Sequence, residues 1–438
     1  MSIIYALATP PAQSAICVFR VSGEGCLDAL SKLFSSELVE PRYFYKTEML
    51  NNGAFIDSVA IVFFKGPKSF TGEDSFEVYA HGGLAVMSKI VEVFDAVGFE
   101  EAQPGEFSKR AFLNNKISLS QAEAVSDLIS ASSKEEASRV SLVLGGDFES
   151  RVFDFSGQLD ALRVLVESEI DFTDEDEVFI QNLAGLGADV SRLSAEFCSF
   201  AGACSSRKDG FNKPRVLIAG PPNSGKSSLF NSLLSRDRSI VSSIAGTTRD
   251  LIDSELVLQN IVLTLGDSAG VRDTDDLLEG AGINISFDEI KKSDLVILVF
   301  DEETKSSVSF FRELLGEQKH LLVYNKIDVS DKRPLGFDLF VSAKEMDGLN
   351  ELRKILDERL SVDESEDLTY LVRERHINIF SEVSSRLDFV SSSIEANESL
   401  DVVAENLKAC RDLLAEVVGI KTSDELLGEI FSSFCIGK

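Results

Sequence analysis

The chain has 438 residues, a net charge of −30, 44 % hydrophobic and 26 % charged residues. That length allows two or more domains with full cores, and the composition is that of an ordinary folded protein. So acidic a chain repels nucleic acid on average, so any RNA must be met through a local basic patch, a more basic partner or brief contact.

Apolar runs such as Leu295–Phe300 fall far short of the ~20 residues needed to cross a bilayer. Met1–Tyr5 has no basic region of the kind that opens a signal peptide. These features point to a cytoplasmic protein with no membrane association. The cysteines are scattered and form no C-x-x-C pair. Reduced thiols follow, with Cys17, Cys26, Cys198, Cys204 and Cys410 expected to pack as small apolar side chains.

Residues 1–117 read as an α+β domain. Ala15–Val21, Ser58–Phe64 and Ser75–Ala80 are β-rich, and Asn51-Asn-Gly53 and Lys65-Gly-Pro67 punctuate them. A helix follows His81-Gly-Gly83 and runs from Val86 to Val97. Residues 118–210 change texture. Pro is absent from 119–209, and Ala124, Leu128, Ala131 and then Val152, Phe155, Leu159 and Leu162 recur at helical spacing, with Gly145-Gly146 as a break.

From residue 211 to 362, short β runs alternate with helical stretches, the pattern of an α/β domain with a mainly parallel sheet. The acidic stretch Ser361–Asp367 reads as a linker. Residues 363–438 return to helical periodicity through Ile379, Val383, Leu387 and Val390, then Leu407, Leu414 and Val417. The simplest topology joins 118–210 and 363–438 into one split all-α domain, with the α/β domain inserted between its halves.

The inserted domain carries the clearest chemistry. Strand Arg215–Ala219 runs into Gly220-Pro-Pro-Asn-Ser-Gly225-Lys226-Ser227 and then a helix beginning near Ser228, a phosphate-binding loop in its required strand–loop–helix context. Gly225 and its neighbours Asn223 and Ser224 let backbone N–H groups face phosphate. Lys226 supplies charge to the β and γ phosphates, and Ser227 ligates Mg2+. Asn325-Lys326-Ile-Asp328 follows a β run and reads guanine, because the Asp328 carboxylate accepts from ring N1–H and the exocyclic amine. Ser342-Ala343-Lys344 supplies a backbone contact to the base oxygen. Asp267-Ser268-Ala269-Gly270 is the D-x-x-G element that steadies Mg2+ and senses the γ phosphate, and Thr248, within Gly246-Thr247-Thr248, is a second Mg2+ ligand. The residue after D-x-x-G is Val271, not the water-orienting Gln of Ras-like enzymes. Acidic neighbours Asp273, Asp275, Asp276 and Glu279 are the candidates for that task.

The Asn223 of the loop, Ile244-Ala245-Gly246-Thr247-Thr248-Arg-Asp250, Thr71-Gly-Glu-Asp74, Pro104-Gly-Glu-Phe107, Arg110–Asn114 and the terminal Phe434-Cys-Ile-Gly-Lys438 together resemble the MnmE (TrmE) family of tRNA-modification GTPases, across the whole chain. The resemblance implies a tetrahydrofolate-binding, dimerising N-terminal domain, a split helical domain and an inserted G domain. It implies a homodimer and K+-stimulated GTP hydrolysis, with K+ held by Asn223, Ser242, Ile244 and Thr247 beside Ser243 and Ala245. Glu279 aligns with the family's water-orienting glutamate. The residues that hold 5-formyltetrahydrofolate, or a related reduced folate, carry over to Arg20, Glu77, Lys116 and Lys438, and Cys435 is a thiol delivered near that folate. The family reaction is formation of carboxymethylaminomethyl or aminomethyl groups at C5 of the wobble uridine of certain tRNAs. An FAD-dependent partner (MnmG/GidA-like) joins in a heterotetramer. Ser268 in place of the family's Thr and Pro221 in place of its Arg are departures that touch no required ligand. A ribosome-assembly regulatory GTPase shares parts of the motif texture. Such a protein carries a second G domain or an RNA-binding appendage, and this sequence has only one G-x-x-x-x-G-K-[ST].

Overall fold

The computed structural model describes residues 2–437 apart from 172–175, 207–212, 236–252, 268–286, 331–332, 361–368, 397, 422, 433 and 435–436. The described residues form two compact units, one of Met1–Ser130, Arg139–Ser206 and Asp367–Lys438, the other of Ala131–Ser138 and Arg207–Glu366. The architecture is the multidomain one the sequence implies: an α+β N-terminal domain, a split helical domain and an inserted α/β domain.

In the first unit, a mixed sheet is built from β1 (Ile4–Leu7), β2 (Ile16–Ser22), β3 (Tyr45–Asn51), β4 (Ala54–Phe64), β5 (Ser75–His81) and β6 (Glu100–Glu101), in the order β3-β4-β5-β2-β1-β6. Only β1 and β6 pair in parallel. Strand alternation sorts the side chains to two faces. Phe19, Phe76 and Val78 are buried in a core with Ile90, Phe94 and Phe99; the rings of Phe19 and Phe76 meet their neighbours edge-on or tilted, and Phe94 stacks on Phe99. That face is covered by the single turn α1 (Leu30–Leu33) and by α2 (Leu84–Ala96). The alternate positions of β2 and β5, among them Arg20, Ser22, Ser75 and Glu77, are free to face a ligand, as the period-2 rule dictates.

The chain then turns helical through α3 (Glu106–Leu113), α4 (Leu119–Ile129), α5 (Lys134–Leu144), α6 (Asp147–Asp171) and α7 (Asp176–Gly202). Gly145-Gly146 is the break between α5 and α6, as its sequence suggests. Ser118 opens α4 with a capping box, its hydroxyl accepting from Gln121 N–H while the Gln121 amide oxygen accepts from Ser118 N–H. A short parallel pair, β7 (Cys204–Ser206) with β14 (Tyr370–Val372), joins the two sequence halves of the helical domain, a strand pairing that helical periodicity gives no hint of. Cys198 departs from the expected packing: it is exposed, whereas Cys17, Cys26, Cys204 and Cys410 are buried. It sits on a solvent-facing position of the α7 period.

The second unit holds a sheet of β8 (Arg215–Ala219), β9 (Asp253–Val257), β10 (Val262–Asp267), β11 (Leu295–Phe300), β12 (His320–Tyr324) and β13 (Leu339–Phe340), in the order β13-β12-β11-β8-β10-β9. All pairs are parallel except β9–β10. The helices α8 (Lys226–Ser235), α9 (Phe287–Lys292), α10 (Val308–Leu315) and α11 (Leu349–Leu360) flank it. β11 is buried at every position, which its unbroken apolar run requires of a central parallel strand. The segment Ala131–Ser138 adds to this unit: Val262 N–H donates to Ser132 O, Lys134 N–H to Asn260 O, and Asn260 is held in turn by Asp357.

The chain after the insertion forms α12 (Glu374–Glu395), α13 (Leu400–Val418) and α14 (Asp424–Ser432). Three segments of the first unit, α4, the start of α12 and the end of α13, meet at a buried charge cluster. Arg375 donates to both oxygens of Glu123 at 2.9 and 2.8 Å and to the terminal carbonyls of Glu416 and Val417. His376 Nε2 lies 3.3 Å from the same carboxylate, and Arg373 pairs with Asp127 at 2.8 Å. Burial alone pushes the Glu123 carboxyl up, but His376 and Arg375 outweigh it and hold it down at about 2. Burial and the neighbouring Arg375 hold the His376 imidazole below its ordinary range.

Both shifts act with one sign. The unfolded chain takes up a proton first at each group, so stability is lost as pH falls below the ordinary His value of 6.5 and again from 4.5 toward 2. In Glu123→Gln, Arg375 keeps its charge without its counter-ion, a loss of about 3–5 kcal/mol. Calorimetry of the full chain is predicted to show a lowered transition for this variant at pH 7, a difference that narrows below pH 4.5 and closes as the pH approaches 2.

Candidate functional site

The loop between β8 and α8 is shaped by what its backbone must avoid. Gly220 has φ +143°, and a Cβ there would lie 2.3 Å from the Val299 carbonyl of the adjacent strand. Gly225 has φ +93°, and a Cβ would lie 2.2 Å from the Asn325 amide nitrogen. Asn223, at φ +62°, is one of the residue types that tolerates this region. The loop thus turns tightly at the carboxyl end of the central strand, at the point where strand order reverses, which is where open α/β sheets bind ligands. Ser224 is fully buried and donates its hydroxyl proton to Pro221 O at 3.0 Å. Lys226, Ser227 and Ser228 form the first turn of α8, and Lys226 Nζ folds back onto Pro221 O at 2.8 Å. The donors and the positive helix end suit a phosphate chain.

The base-reading segment is locked to this loop by one side chain. Asn325 follows β12 and is 2 % exposed. Its Nδ2 donates to Ser224 O at 3.0 Å, while its Oδ1 accepts from Ala343 N–H at 3.1 Å. Lys326 reaches over the loop to Asn223 O at 2.7 Å and to Asp301 Oδ2 at 2.6 Å. Asp328 accepts from the Ser342 hydroxyl at 2.6 Å, and that bond, ahead of the nearby Lys344 and Lys326 charges, holds its carboxyl below the usual range. Lys344 is exposed and close to Glu345. The structure therefore brings Asn223, Ser224, Gly225, Lys226, Asn325, Lys326, Asp328, Ser342 and Ala343 into one site.

Asp301 belongs to the same site and escapes motif reading. It directly follows β11, and burial pushes its carboxyl up, but Lys326 and Thr304 more than reverse this. Its signal in the sequence is slight: an acidic residue closing a fully apolar strand, next to the loop end of the sheet.

Among the described residues the remaining nucleotide motifs are represented by Asp267, which closes β10. Ser242, Ser243, Ile244, Ala245, Gly246, Thr247, Thr248, Ser268, Ala269, Gly270 and Glu279 lie outside the described residues, as do Cys435, Lys438 and the Ser361–Asp367 linker.

In the N-terminal domain, Arg20 and Glu77 face each other across β2 and β5, with Arg20 Nε 2.9 Å from Glu77 Oε1. Tyr79 donates to the other Glu77 oxygen at 2.7 Å, and burial followed by that carboxylate pushes its phenol up to about 12. The pair lines a cavity of about 270 Å³ together with Ser22, Phe70, Thr71 and Phe107. Lys116 is not in its lining. Its ammonium donates to Pro67 O at 2.9 Å, and its stem packs beside Gly72, in the loop that carries Phe70 and Thr71. Phe434, just before Cys435, is buried in a cluster with Phe431, Leu119 and Phe112, which brings this residue to α3 and α4.

A phosphate loop joined through a single buried amide to an Asn-Lys-Ile-Asp base reader sets the class: a P-loop guanine-nucleotide-binding protein. Two family models cover nearly the whole chain, the MnmE helical domain over residues 119–435 and the GTP-binding protein TrmE N-terminus over residues 3–116. The chain is 37 % identical over 446 residues to the tRNA modification GTPase MnmE of Legionella pneumophila (strain Corby), covering 99 % of both chains. It is 33 % identical over 447 residues to the tRNA modification GTPase MnmE of Francisella philomiragia subsp. philomiragia, again covering 99 % of both. A crystal structure of the G domain of the T. maritima FeoB iron transporter is 28 % identical, covers 34 % of this chain and 100 % of that one, and has a TM-score of 0.28. The chain belongs to the MnmE family of tRNA modification GTPases.

The Asp328 geometry makes a prediction about base choice. Asp328→Asn replaces a carboxylate oxygen with an N–H donor, which faces guanine's amine but matches the 2-oxo group of xanthine. GTP affinity is expected to fall at least about tenfold, and xanthosine triphosphate to overtake it in direct titration.

Proposed function

We propose that this chain hydrolyses GTP and, with an FAD-dependent partner protein, forms carboxymethylaminomethyl or aminomethyl groups at C5 of the wobble uridine, position 34, of certain tRNAs. The observation that carries the reading is the full-length match. The same relatives align with the nucleotide site and with the domain that holds the Arg20–Glu77 pocket. The working division is 1–117 for folate binding and dimerisation, 118–210 and 363–438 for the helical domain, and 211–362 for the G domain. A cytoplasmic homodimer assembling with its partner into a heterotetramer fits this division, and no described helix is long and apolar enough to cross a membrane.

In the G domain, the glycine-shaped loop leaves room for phosphate where a Cβ has none. Ser227, at the start of α8, and Thr248 would ligate Mg2+, and Asn223 with Ser242, Ile244 and Thr247 would hold K+. These cations supply positive charge against the charge that develops on phosphate during transfer, a contribution of about 10³–10⁵ in rate where an arginine finger provides it. Val271 cannot orient water, so Glu279 takes that part. Asp328 fixes the base, and Asn325 keeps the base-reading and phosphate-binding segments in register.

In the N-terminal domain, the cavity of about 270 Å³ lies just below the ~300–1,000 Å³ range of small-molecule sites. It suits the fused ring of a reduced folate, with the glutamate tail outside. Glu77 would accept from the ring's N–H groups, while Arg20, Lys116 and Lys438 would meet carboxylate or carbonyl oxygens. A bound folate would supply the one-carbon unit, and Cys435 would serve as a thiol delivered near it. The acidity of the chain fits a division in which the partner holds most of the tRNA.

Two outcomes test this. Asn223→Ala is expected to lower GTP turnover in K+ buffer by about tenfold or more, to the level that wild type shows in Na+ buffer. Cells lacking the protein are expected to lose their 5-substituted wobble uridines, as read by mass spectrometry of tRNA nucleosides. The intact chain restores them and Cys435→Ser does not. Unchanged nucleosides would remove the tRNA assignment and leave guanine-nucleotide binding standing.

A further inference from the structure

One wall of the Arg20–Glu77 pocket is a chain of hydrogen bonds whose direction is fixed. Ser22 Oγ lies 2.9 Å from Glu73 Oε2 and 2.7 Å from Thr71 Oγ1. Both hydroxyl residues are buried and both line the cavity. A carboxylate accepts and does not donate, so the Ser22 proton is committed to Glu73. With that proton used, the short contact to Thr71 requires Thr71 to be the donor. Thr71 Oγ1 also accepts from Glu73 N–H at 3.3 Å. The donors therefore run from Thr71 to Ser22 to Glu73.

The far end of the chain is clamped. Arg110 is 4 % exposed, lies 3.2 Å from Glu73 Oε2, and also donates to Glu106 at 2.7 Å and to Ser2 O at 2.8 Å. Glu73 is held between Arg110 and Ser22, and neither hydroxyl has a proton left to turn toward the cavity. Each retains lone-pair capacity and no donor.

We infer that Ser22 and Thr71 are a fixed pair of acceptors that makes this pocket selective for the N–H edge of a reduced pteridine ring. The inference rests on the folate reading and adds specificity-determining residues to it. The polar lining then presents acceptors at Ser22, Thr71 and Glu77, a donor at Arg20 and one hydroxyl of either sense at Ser75, with Phe70 and Phe107 as apolar walls. A ring bearing a 2-amino group and adjacent N–H donors matches that pattern. A ring without the amino group leaves an acceptor facing no donor, and buried unpaired polar groups are what give a site its discrimination.

The test uses the full chain and two compounds, 5-formyltetrahydrofolate and the same molecule with hydrogen in place of the 2-amino group, each titrated by calorimetry. Wild type is expected to prefer the amino compound at least about tenfold. Thr71→Val keeps the shape and removes the hydroxyl, and Ser22→Ala removes the other acceptor; each is expected to shrink that ratio about tenfold relative to wild type. Thr71→Ser keeps the acceptor and should keep the ratio, which separates loss of the hydroxyl from loss of packing. Glu73→Gln offers an amide N–H that reverses the chain, so the ratio should shrink although neither hydroxyl is gone. Equal loss of affinity for both compounds, with ratios unchanged, would show a purely structural network and overturn the inference alone. Absence of 5-formyltetrahydrofolate binding in wild type would overturn the inference and the folate reading together.

Discussion

The nucleotide site depends on one buried amide. Asn325 spends both ends of its side chain on backbone, one on the phosphate loop at Ser224 and one on the base-reading turn at Ala343. Neither group is near water, so each must find a partner or cost its desolvation. A carboxylate there would face the Ser224 carbonyl, and an aliphatic residue would orphan both backbone groups. The close approach of Asn325 to Gly225 explains in turn why the loop position must lack a Cβ. Lys326 and Asp301 reinforce the same joint from the exposed side. Recognition of phosphate and recognition of base are thereby coupled through rigid contacts before any ligand arrives, which is the preorganisation that tight binding favours.

The N-terminal domain solves a related problem with charge pairs on a sheet face. The register of β2 against β5 sets Arg20 opposite Glu77, and the period of two puts Ser22 on the same face. The T-G-E-D loop then folds over so that Thr71 and Glu73 meet Ser22, while Arg110 from α3 closes the network. The helical domain repeats the theme more deeply, with Arg375 satisfying both Glu123 and the carbonyl end of α13. Burying such charges costs desolvation, so they serve to specify one arrangement of helices more than to add net stability.

What was legible in the sequence follows from how local each feature is. The phosphate loop, the Asn-Lys-Ile-Asp motif and the break at Gly145-Gly146 are contiguous, and the structure has them on the elements their neighbours imply. Family resemblance marks Arg20 and Glu77 singly, but their partnership depends on strand register, which no spacing reveals. The Ser22–Thr71–Glu73–Arg110 chain draws on three separate segments, and its parts read singly as ordinary polar residues. Asp301 was missed for the same reason: its role is set by Lys326, a neighbour in the sheet and not in the chain. Cys198 was misjudged because cysteine's usual burial says nothing about which side of α7 faces out.

The central claim is that the loop and the Asn-Lys-Ile-Asp segment form one guanine-nucleotide site. Calorimetric titration of the purified full chain with GDP and with ADP, in the presence of Mg2+, tests it most directly. The account predicts that GDP binds one site per chain and that ADP binds at least about a hundredfold more weakly, because adenine lacks the N1–H and 2-amino donors that Asp328 accepts from. Equal affinities, or tighter binding of ADP, would contradict it.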